Sequence, residues 1–365
     1  MTMMFRPRDF VRAPVSDSAG IAEGLSPAID AVASASAPSH RFLRHDWFAA
    51  AIVAYGGHPR TLTVTRDAAP VLALPFSATG PARLGLASVP GSYWPFRSFP
   101  VAAGADADVF DAALALLARH VTALRIGPVY DGDPAAAPMI AAARARGWAT
   151  LDRFVADSFV LDMAAARAVG EWPRGSTLKK NRFHEKHLAA YGALGWRFVT
   201  GAQWDDAAFD ALGAIERRSW IAQRTDGRDA KFTADGHGAF WRAAADPAIA
   251  AMMWAAVLDI DGVPAAFSFD INAGDLKYAV ANSYDPAFAK HSPGKLLYYR
   301  NLARALDDGI ARVDWGAGDS GYKRTIGAAE GPAIRDWLLV RPGLPAACAR
   351  VLGALWRRSG QRVAR

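Results

Sequence analysis

The chain has a single cysteine, Cys348, in 365 residues. An intrachain disulfide is therefore impossible, and an oxidising compartment is not indicated. No apolar run approaches the roughly 18 uncharged residues that span a bilayer. The first twenty residues carry Arg6, Arg8, Asp9 and Arg12 without a continuous apolar stretch, so they do not read as a signal peptide. These absences lead to the expectation of a cytoplasmic protein. A metal pattern is missing too: His184 and His187 stand at i, i+3, not at the i, i+4 of zinc proteases, and no third ligand is evident. Gly294-Lys295 is not a Walker A motif, since Ala289 and Leu296 occupy the positions that would need Gly and Ser or Thr.

What is present is a 52% hydrophobic composition in a length that exceeds the usual single domain, so two domains with substantial cores are expected. Lys and Arg number 42 against 35 Asp and Glu, a net charge of +7. That balance tilts toward acidic partners such as phosphorylated cofactors, nucleic acid or an anionic membrane surface, although an ordinary solvated surface gives the same count.

Residues 1–40, rich in Ala, Ser and Pro from position 13, read as a poorly ordered lead-in with room for one short helix. From Arg41 the pattern is regular. Arg60 to Thr65 and Val71 to Phe76 are β-rich runs around the turn Arg66 to Pro70, and Ala82 to Val89 is a third candidate strand. A loop containing Tyr93, Trp94, Phe96 and Phe99 leads to a helix over Asp106 to His120, a strand over Leu124 to Tyr130, another helix ending before Gly147, and an extended run to Met163. The second half repeats this order. Trp254 to Ile260 and Pro264 to Ile271 flank Asp261-Gly262, a strong two-residue hairpin signal, and Leu276 to Ser283 is a third strand. Leu296, Tyr299, Ala303, Leu306 and Ile310 then form an amphipathic stripe, Gly309 ends that helix, and Arg312 to Trp315 is a further strand. The expected fold class is α/β with a mixed sheet and α+β character. Its domains are 41–163 and 164–343, followed by a basic amphipathic tail, 344–365.

Between the third strand and the amphipathic helix of the second half lies Lys290-His-Ser-Pro-Gly-Lys295. Ser292 is a good N-cap, Pro293 fits the first helical position, and Gly294 leaves the amides there open to a ligand. Free amides and the helix dipole favour an anion at such an end, with Lys290, His291 and Lys295 adding positive or titratable groups. The plainer reading is a helix start and nothing more.

With Tyr284 to Leu297 and Asp314-Trp-Gly-Ala-Gly-Asp-Ser-Gly-Tyr-Lys323 in view, the chain resembles the GNAT acyltransferase superfamily. The likeness is to its two-domain branch of CelD-type envelope-polysaccharide proteins and Fem-type aminoacyl transferases. It covers Ser176 to Pro342 well and Arg41 to Met163 more weakly, where Phe42 to Trp47 looks like that branch's opening helix. The resemblance implies tandem GNAT-like domains, the first degenerate. It implies an acyl-CoA co-substrate whose pyrophosphate rests at Lys290, His291, Ser292, Gly294 and Lys295. It also implies that the backbone of Ala279, Val280 and Ala281 polarises the thioester carbonyl. The usual Gln/Arg-x-x-Gly-x-Gly/Ala pattern is absent.

Acyl transfer to an amine needs a neutral nucleophile, a path for its proton and a donor for the departing thiolate. Phe209, Leu212, Glu216 and Trp220 fall on one helical stripe, which places the Glu216 carboxylate among apolar groups where burial would raise its pKa and suit it to act as a base. Pairing with Arg182 or another cation at the domain interface is the structural alternative. In the glycine-rich loop, Asp319 is a candidate to orient the acceptor amine, Tyr322 to protonate the thiolate, and Lys323 to bind a phosphate or carboxylate; a plain turn with a surface Lys competes. The helix over Ser176 to Tyr191, with Lys179, Lys180, Arg182 and Lys186, reads first as a solvated face and otherwise as a contact for a phosphorylated acceptor, CoA or RNA. The tail, with Val351, Leu352, Leu355 and Trp356 among Arg350, Arg357, Arg358, Arg362 and Arg365, fits a membrane-surface or partner-binding helix or packing on its own domain.

The leading expectation is an acyl-CoA-dependent N-acyltransferase acting on an amine acceptor, an amino sugar or an envelope-polysaccharide precursor. Two alternatives stay open: a Fem-type transferase using aminoacyl-tRNA, and a noncatalytic GNAT-fold binding module. Nucleic acid other than tRNA is not expected as a partner.

Overall fold

Two short turns organise the two halves. At Asp261-Gly262 both residues take left-handed backbone, φ 49° and 77°, and the turn closes the hairpin whose last pair is Ile260 with Val263. The first half uses the same geometry at Asp67-Ala68, φ 50° and 65°, closing Arg66 onto Ala69. In this hairpin Leu62 and Val64 alternate inward onto a core that also takes Leu72 and Leu74.

The computed structural model describes residues 17–92, 97–170, 172–225, 227–319 and 321–360. The strands in chain order are β1 (Asp17–Glu23), β2 (Pro59–Arg66), β3 (Ala69–Ala78), β4 (Leu86–Ser88), β5 (Ala123–Tyr130), β6 (Ala149–Asp162), β7 (Leu194–Thr200), β8 (Met253–Ile260), β9 (Val263–Ala273), β10 (Leu276–Tyr284), β11 (Arg312–Ala317) and β12 (Ala329–Val340). Among the described residues they form one sheet in the order β1-β2-β3-β4-β5-β12-β6-β11-β10-β9-β8-β7. Each half is an antiparallel meander whose fourth strand runs parallel to the fifth: β4 beside β5, and β10 beside β11.

The halves are not cut in space where they are cut in sequence. β6 leaves the first half to pair antiparallel with β11, and β12 returns from the second half to lie between β5 and β6. A boundary at residue 163 therefore passes between units that have exchanged a strand. Trp47, on the helix His45–Tyr55, packs edge-on against Phe240 of the helix Gly238–Ala244 at 4.8 Å and against Trp241 at 5.8 Å, so one aromatic core spans both halves.

Several expectations need correction. Residues 17–40 are not a loose lead-in: β1 pairs with β2 over its whole length, and the helix Ala28–Ala35 buries Ile29, Val32 and Ala33. The small, polar β1 sequence shows no alternation; pairing with β2 and the packing of Ile21 on the core make it a strand. Residues 1–16 lie outside the described ones, as do Tyr93, Trp94 and Phe96 of the aromatic loop. The run Ala82 to Val89 splits into a 3-10 turn, Ala82–Leu84, and the short β4. The opening helix starts at His45, with Phe42 and Leu43 buried ahead of it.

Candidate active site

β10 and β11 pair over only three residue couples, Leu276 to Tyr278 with Arg312 to Asp314, and then part. Just past the last couple, β10 bulges: Ala279 faces Asp270 on β9 and Ala281 faces Phe269, which leaves Val280 as the extra residue. A bulged residue drops out of the ladder and re-aims its peptide groups. The expected thioester-polarising backbone, Ala279 to Ala281, therefore sits at a bulge on the edge of an opening in the sheet.

A cavity of about 530 Å³ lies on one side of that opening, lined by Asn282 and Tyr284 of β10, by Ser292, Gly294, Lys295 and Tyr298, and by Trp220, Tyr322 and Ile326. Of the six junction residues, the structure thus brings Ser292, Gly294 and Lys295 to the cavity. Lys290 is exposed and outside its lining, while His291 is buried, with its ring stacked 6.2 Å from His187 and edge-on to Tyr191. Ser292 is not the expected side-chain N-cap. Its backbone is left-handed, φ 52°, its hydroxyl caps nothing, and its carbonyl accepts from the Lys295 and Leu296 amides at the start of the helix Pro293–Asp307. Gly294 serves packing as much as ligand access, because a Cβ there would lie 3.0 Å from Asn282 Oδ1 and from Tyr284 Cδ1.

This helix is anchored by buried polar groups. Asn301 donates to Asp270 at 2.7 Å and to Ser268 at 3.1 Å, accepts from Trp254 Nε1 at 2.6 Å, and Asp270 pairs with the fully buried Lys277 at 3.1 Å. Such pairs are strongly specified because removing one partner strands the other without water.

The proposed chemical residues fare unequally. Glu216 is fully buried, and burial raises its pKa as expected. Its carboxylate is taken, however: Oε1 accepts from the Lys231 amide at 2.8 Å and Oε2 from the Phe232 amide at 2.7 Å. It ties down the segment after residue 226 and does not line the cavity. The stripe that suggested it breaks at Ser219, after the helix Asp206–Arg218 ends, so Trp220 starts a new turn, 47% exposed, and reaches the cavity instead. Asp319 closes its own turn by accepting from the Gly321 amide at 2.8 Å and pairs with Arg324 at 3.2 Å. Lys323 is the clearest correction. It is buried, and Nζ donates to the carbonyls of Trp315 at 2.8 Å, Gly316 at 3.2 Å and Ala317 at 2.9 Å. Its three protons are spent on the loop, and burial lowers its pKa to about 8, so it is not placed to hold a phosphate. Tyr322 remains at the cavity, 44% exposed.

Three features go beyond the sequence reading. Tyr298 lines the cavity with a buried hydroxyl that has no hydrogen-bond partner among the described residues, and burial pushes its pKa well up. It adjoins Tyr299, which the stripe singled out. Lys180 and His184, on the basic helix Gly175–Leu188, come close enough to Lys295 to act on it: burial first, then Lys180, lowers the Lys295 pKa, and burial followed by Lys180, His291 and Lys295 lowers that of His184. Asp314, at the last β10–β11 couple, is pushed up to about 6 by burial and accepts from the Gly316 amide at 2.6 Å.

The tail helix, Leu344–Gly360, lays Ala346 and Gly353 on the sheet, where a Cβ at Gly353 would come within 3.0 Å of Leu151, and Arg153 stacks on Trp356 at 4.6 Å. Leu344, Val351 and Leu355 face outward, exposed. Arg362 and Arg365 lie outside the described residues, among which no helix is long and apolar enough to cross a membrane and no group of three or more His, Cys, Asp or Glu converges on a metal-sized site.

A meander, a bulged strand parting from its parallel neighbour, and a helix start at the opening define an acyltransferase fold of the GNAT type. Residues 175–324 match the family model described as an acetyltransferase (GNAT) domain. No curated protein matches the chain in sequence. Among solved structures, FemX shares the fold at 12% identity and a TM-score of 0.58, over 89% of this chain and 97% of that one. A conserved protein of unknown function from Bacteroides thetaiotaomicron VPI-5482 does so at 12% and 0.56, over 88% and 100%. A DUF2156 domain from Agrobacterium fabrum matches at 14% and 0.52, over 89% and 94%. The likeness extends across both halves, which agrees with a two-domain GNAT architecture.

Proposed function

We propose that the C-terminal half takes an acyl group from acyl-CoA and delivers it to an amine, with an amino sugar or envelope-polysaccharide precursor as the acceptor class. The observation that carries this reading is the coincidence of the Val280 bulge, the parting of β10 from β11, and a cavity floored by Ser292, Gly294 and Lys295. In this reading the donor's pyrophosphate lies at the helix start, near Gly294 and Lys295, where dipole and charge favour it. The acceptor nitrogen attacks the thioester carbonyl carbon. The C–N bond forms, the oxyanion is met by backbone at the bulge, and the C–S bond breaks. Tyr322 or Tyr298 supplies the proton to the leaving thiolate, and the ammonium proton passes to solvent or to a base on the acceptor side. Glu216 and Lys323 act in this scheme as supports of the segments that frame the cavity.

A second reading, transfer from aminoacyl-tRNA, is favoured by one observation: Lys180, on the basic helix, extends the positive surface beside Lys295. A thermal-shift screen separates the two. Stabilisation by CoA, acetyl-CoA or a longer acyl-CoA, with tRNA silent, is the expected result. Binding of tRNA that falls steeply with salt, with every CoA species silent, would replace the first reading with the second.

A further inference from the structure

The N-terminal half holds a cavity of its own at a matching place. Like β10 beside β11, β4 pairs parallel with β5 over three couples, Leu86 to Ser88 with Ala123 to Arg125. Beside the end of β4 lies a cavity of about 340 Å³ with Tyr55, Gly57, Ser77, Thr79, Ser88 and Arg97 in its wall.

Two of these groups are left wanting. The Ser77 hydroxyl is buried, its residue 8% exposed, and it has no hydrogen-bond partner among the described residues. Gly57, at φ 121°, keeps the space beside it open, since a Cβ there would stand 3.3 Å from Ser77 Oγ. Arg97 donates through Nε to the Ser92 carbonyl at 3.1 Å, and its two terminal nitrogens have no acceptor among the described residues. The nearby carboxylate of Asp336 is fully buried and already bonded by both Arg125, at 2.7 Å, and Arg153. Burial, with Arg125 adjacent, pulls the Arg97 pKa down. A guanidinium withdrawn from water beside another one, with no carboxylate of its own, is a site short of an anion. The rest of the wall is hydroxylic: Thr79 and Ser88 join their hydroxyls at 3.0 Å, and Tyr55 bonds His237 at 2.9 Å.

We infer that this cavity binds a small molecule carrying an anionic group together with hydroxyls, a sugar phosphate or a uronate, with Arg97 taking the anion and Ser77 a hydroxyl. Neither group needs the C-terminal half to transfer an acyl group, so the inference stands apart from the proposed function.

Titration calorimetry on the full chain with glucose 6-phosphate, glucuronate and glucose tests it. At least one of the two anions is expected to bind, with glucose weaker by roughly tenfold or more, as the loss of a charge-assisted bond requires. Binding of the phosphate alone or of the uronate alone identifies the anion and supports the site equally. Arg97→Gln should weaken that anion by roughly tenfold or more, Arg97→Lys by less, and Ser77→Ala by several-fold. Lys295→Gln, in the other cavity, should leave it unchanged. Silence of both anions overturns the inference. So does an affinity that survives Arg97→Gln or is lost with Lys295→Gln. Should Arg97→Gln fail to fold, the Arg97→Lys and Ser77→Ala titrations decide on the same terms.

Discussion

The two halves of the sheet share an order of elements and diverge after the fourth strand. In the C-terminal half β10 is nine residues long, bulges at Val280, and leads through a 3-10 turn straight into a fifteen-residue helix docked on the sheet. In the N-terminal half β4 has three residues, and the next helix, Ala107–His120, begins only after a long loop. One half therefore presents a helix start beside a bulge, an arrangement suited to a phosphorylated donor. The other presents an arginine and hydroxyls in a loop-walled cavity, an arrangement suited to a small anion. The same order of strands thus frames two cavities with different linings.

Several substitutions would break or sharpen this contrast. The largest effect is expected at Glu216, whose carboxylate holds a segment of the C-terminal half. Glu216→Ala strands two buried amides, at about 3 kcal/mol or more, while Glu216→Gln keeps an acceptor and should recover part of it. Urea unfolding measures both, and a loss below about 1 kcal/mol for the alanine variant would remove the anchoring role.

Asp314 stands next, near Tyr130 of β5 where the halves meet. Its pKa is raised in the fold to about 6, so the folded state holds a proton that the unfolded chain has released. Stability therefore falls as pH rises from about 4 to about 6. Asp314→Asn should accordingly gain up to about 3 kcal/mol at about pH 7 and little at about pH 4. Equal changes at both pH values would contradict the assignment.

Gly294→Val should cost about 1–3 kcal/mol by overpacking against Asn282 and Tyr284, and it should narrow the C-terminal cavity alone. A thermal midpoint matching the parent would show that the helix has room to shift. Lys295→Gln is the mildest, within about 0.5 kcal/mol of the parent in stability, because the side chain is partly exposed and makes no ion pair among the described residues.

Much of this contrast was legible in the sequence. The Asp261-Gly262 hairpin, the helix after the junction and the repeated strand order all depend on short-range patterns, and the structure has them, although of the stripe from Leu296 to Ile310 only Leu296 and Tyr299 are buried on the helix, which ends at Asp307. The exchange of β6 and β12 between halves was not legible, because pairing between strands so far apart in the chain leaves no local trace. The site was read less well than the fold. The junction reached the cavity at Ser292, Gly294 and Lys295, but periodicity could not foresee that Ser219 would turn Trp220 off the Glu216 stripe. Nor could composition tell a lysine that binds phosphate from Lys323, which binds three carbonyls at the end of β11. Tyr298 was hidden by adjacency, since a stripe that selects Tyr299 passes over its neighbour.

The central claim is that the C-terminal cavity, and not its N-terminal counterpart, receives acyl-CoA. Titration calorimetry with acetyl-CoA on the parent chain, Lys295→Glu and Arg97→Gln tests it most directly. The account predicts one site on the parent, an affinity lowered by roughly tenfold or more in Lys295→Glu through charge reversal near the phosphates, and no change in Arg97→Gln. Binding that ignores Lys295→Glu, or that is lost with Arg97→Gln, would contradict it.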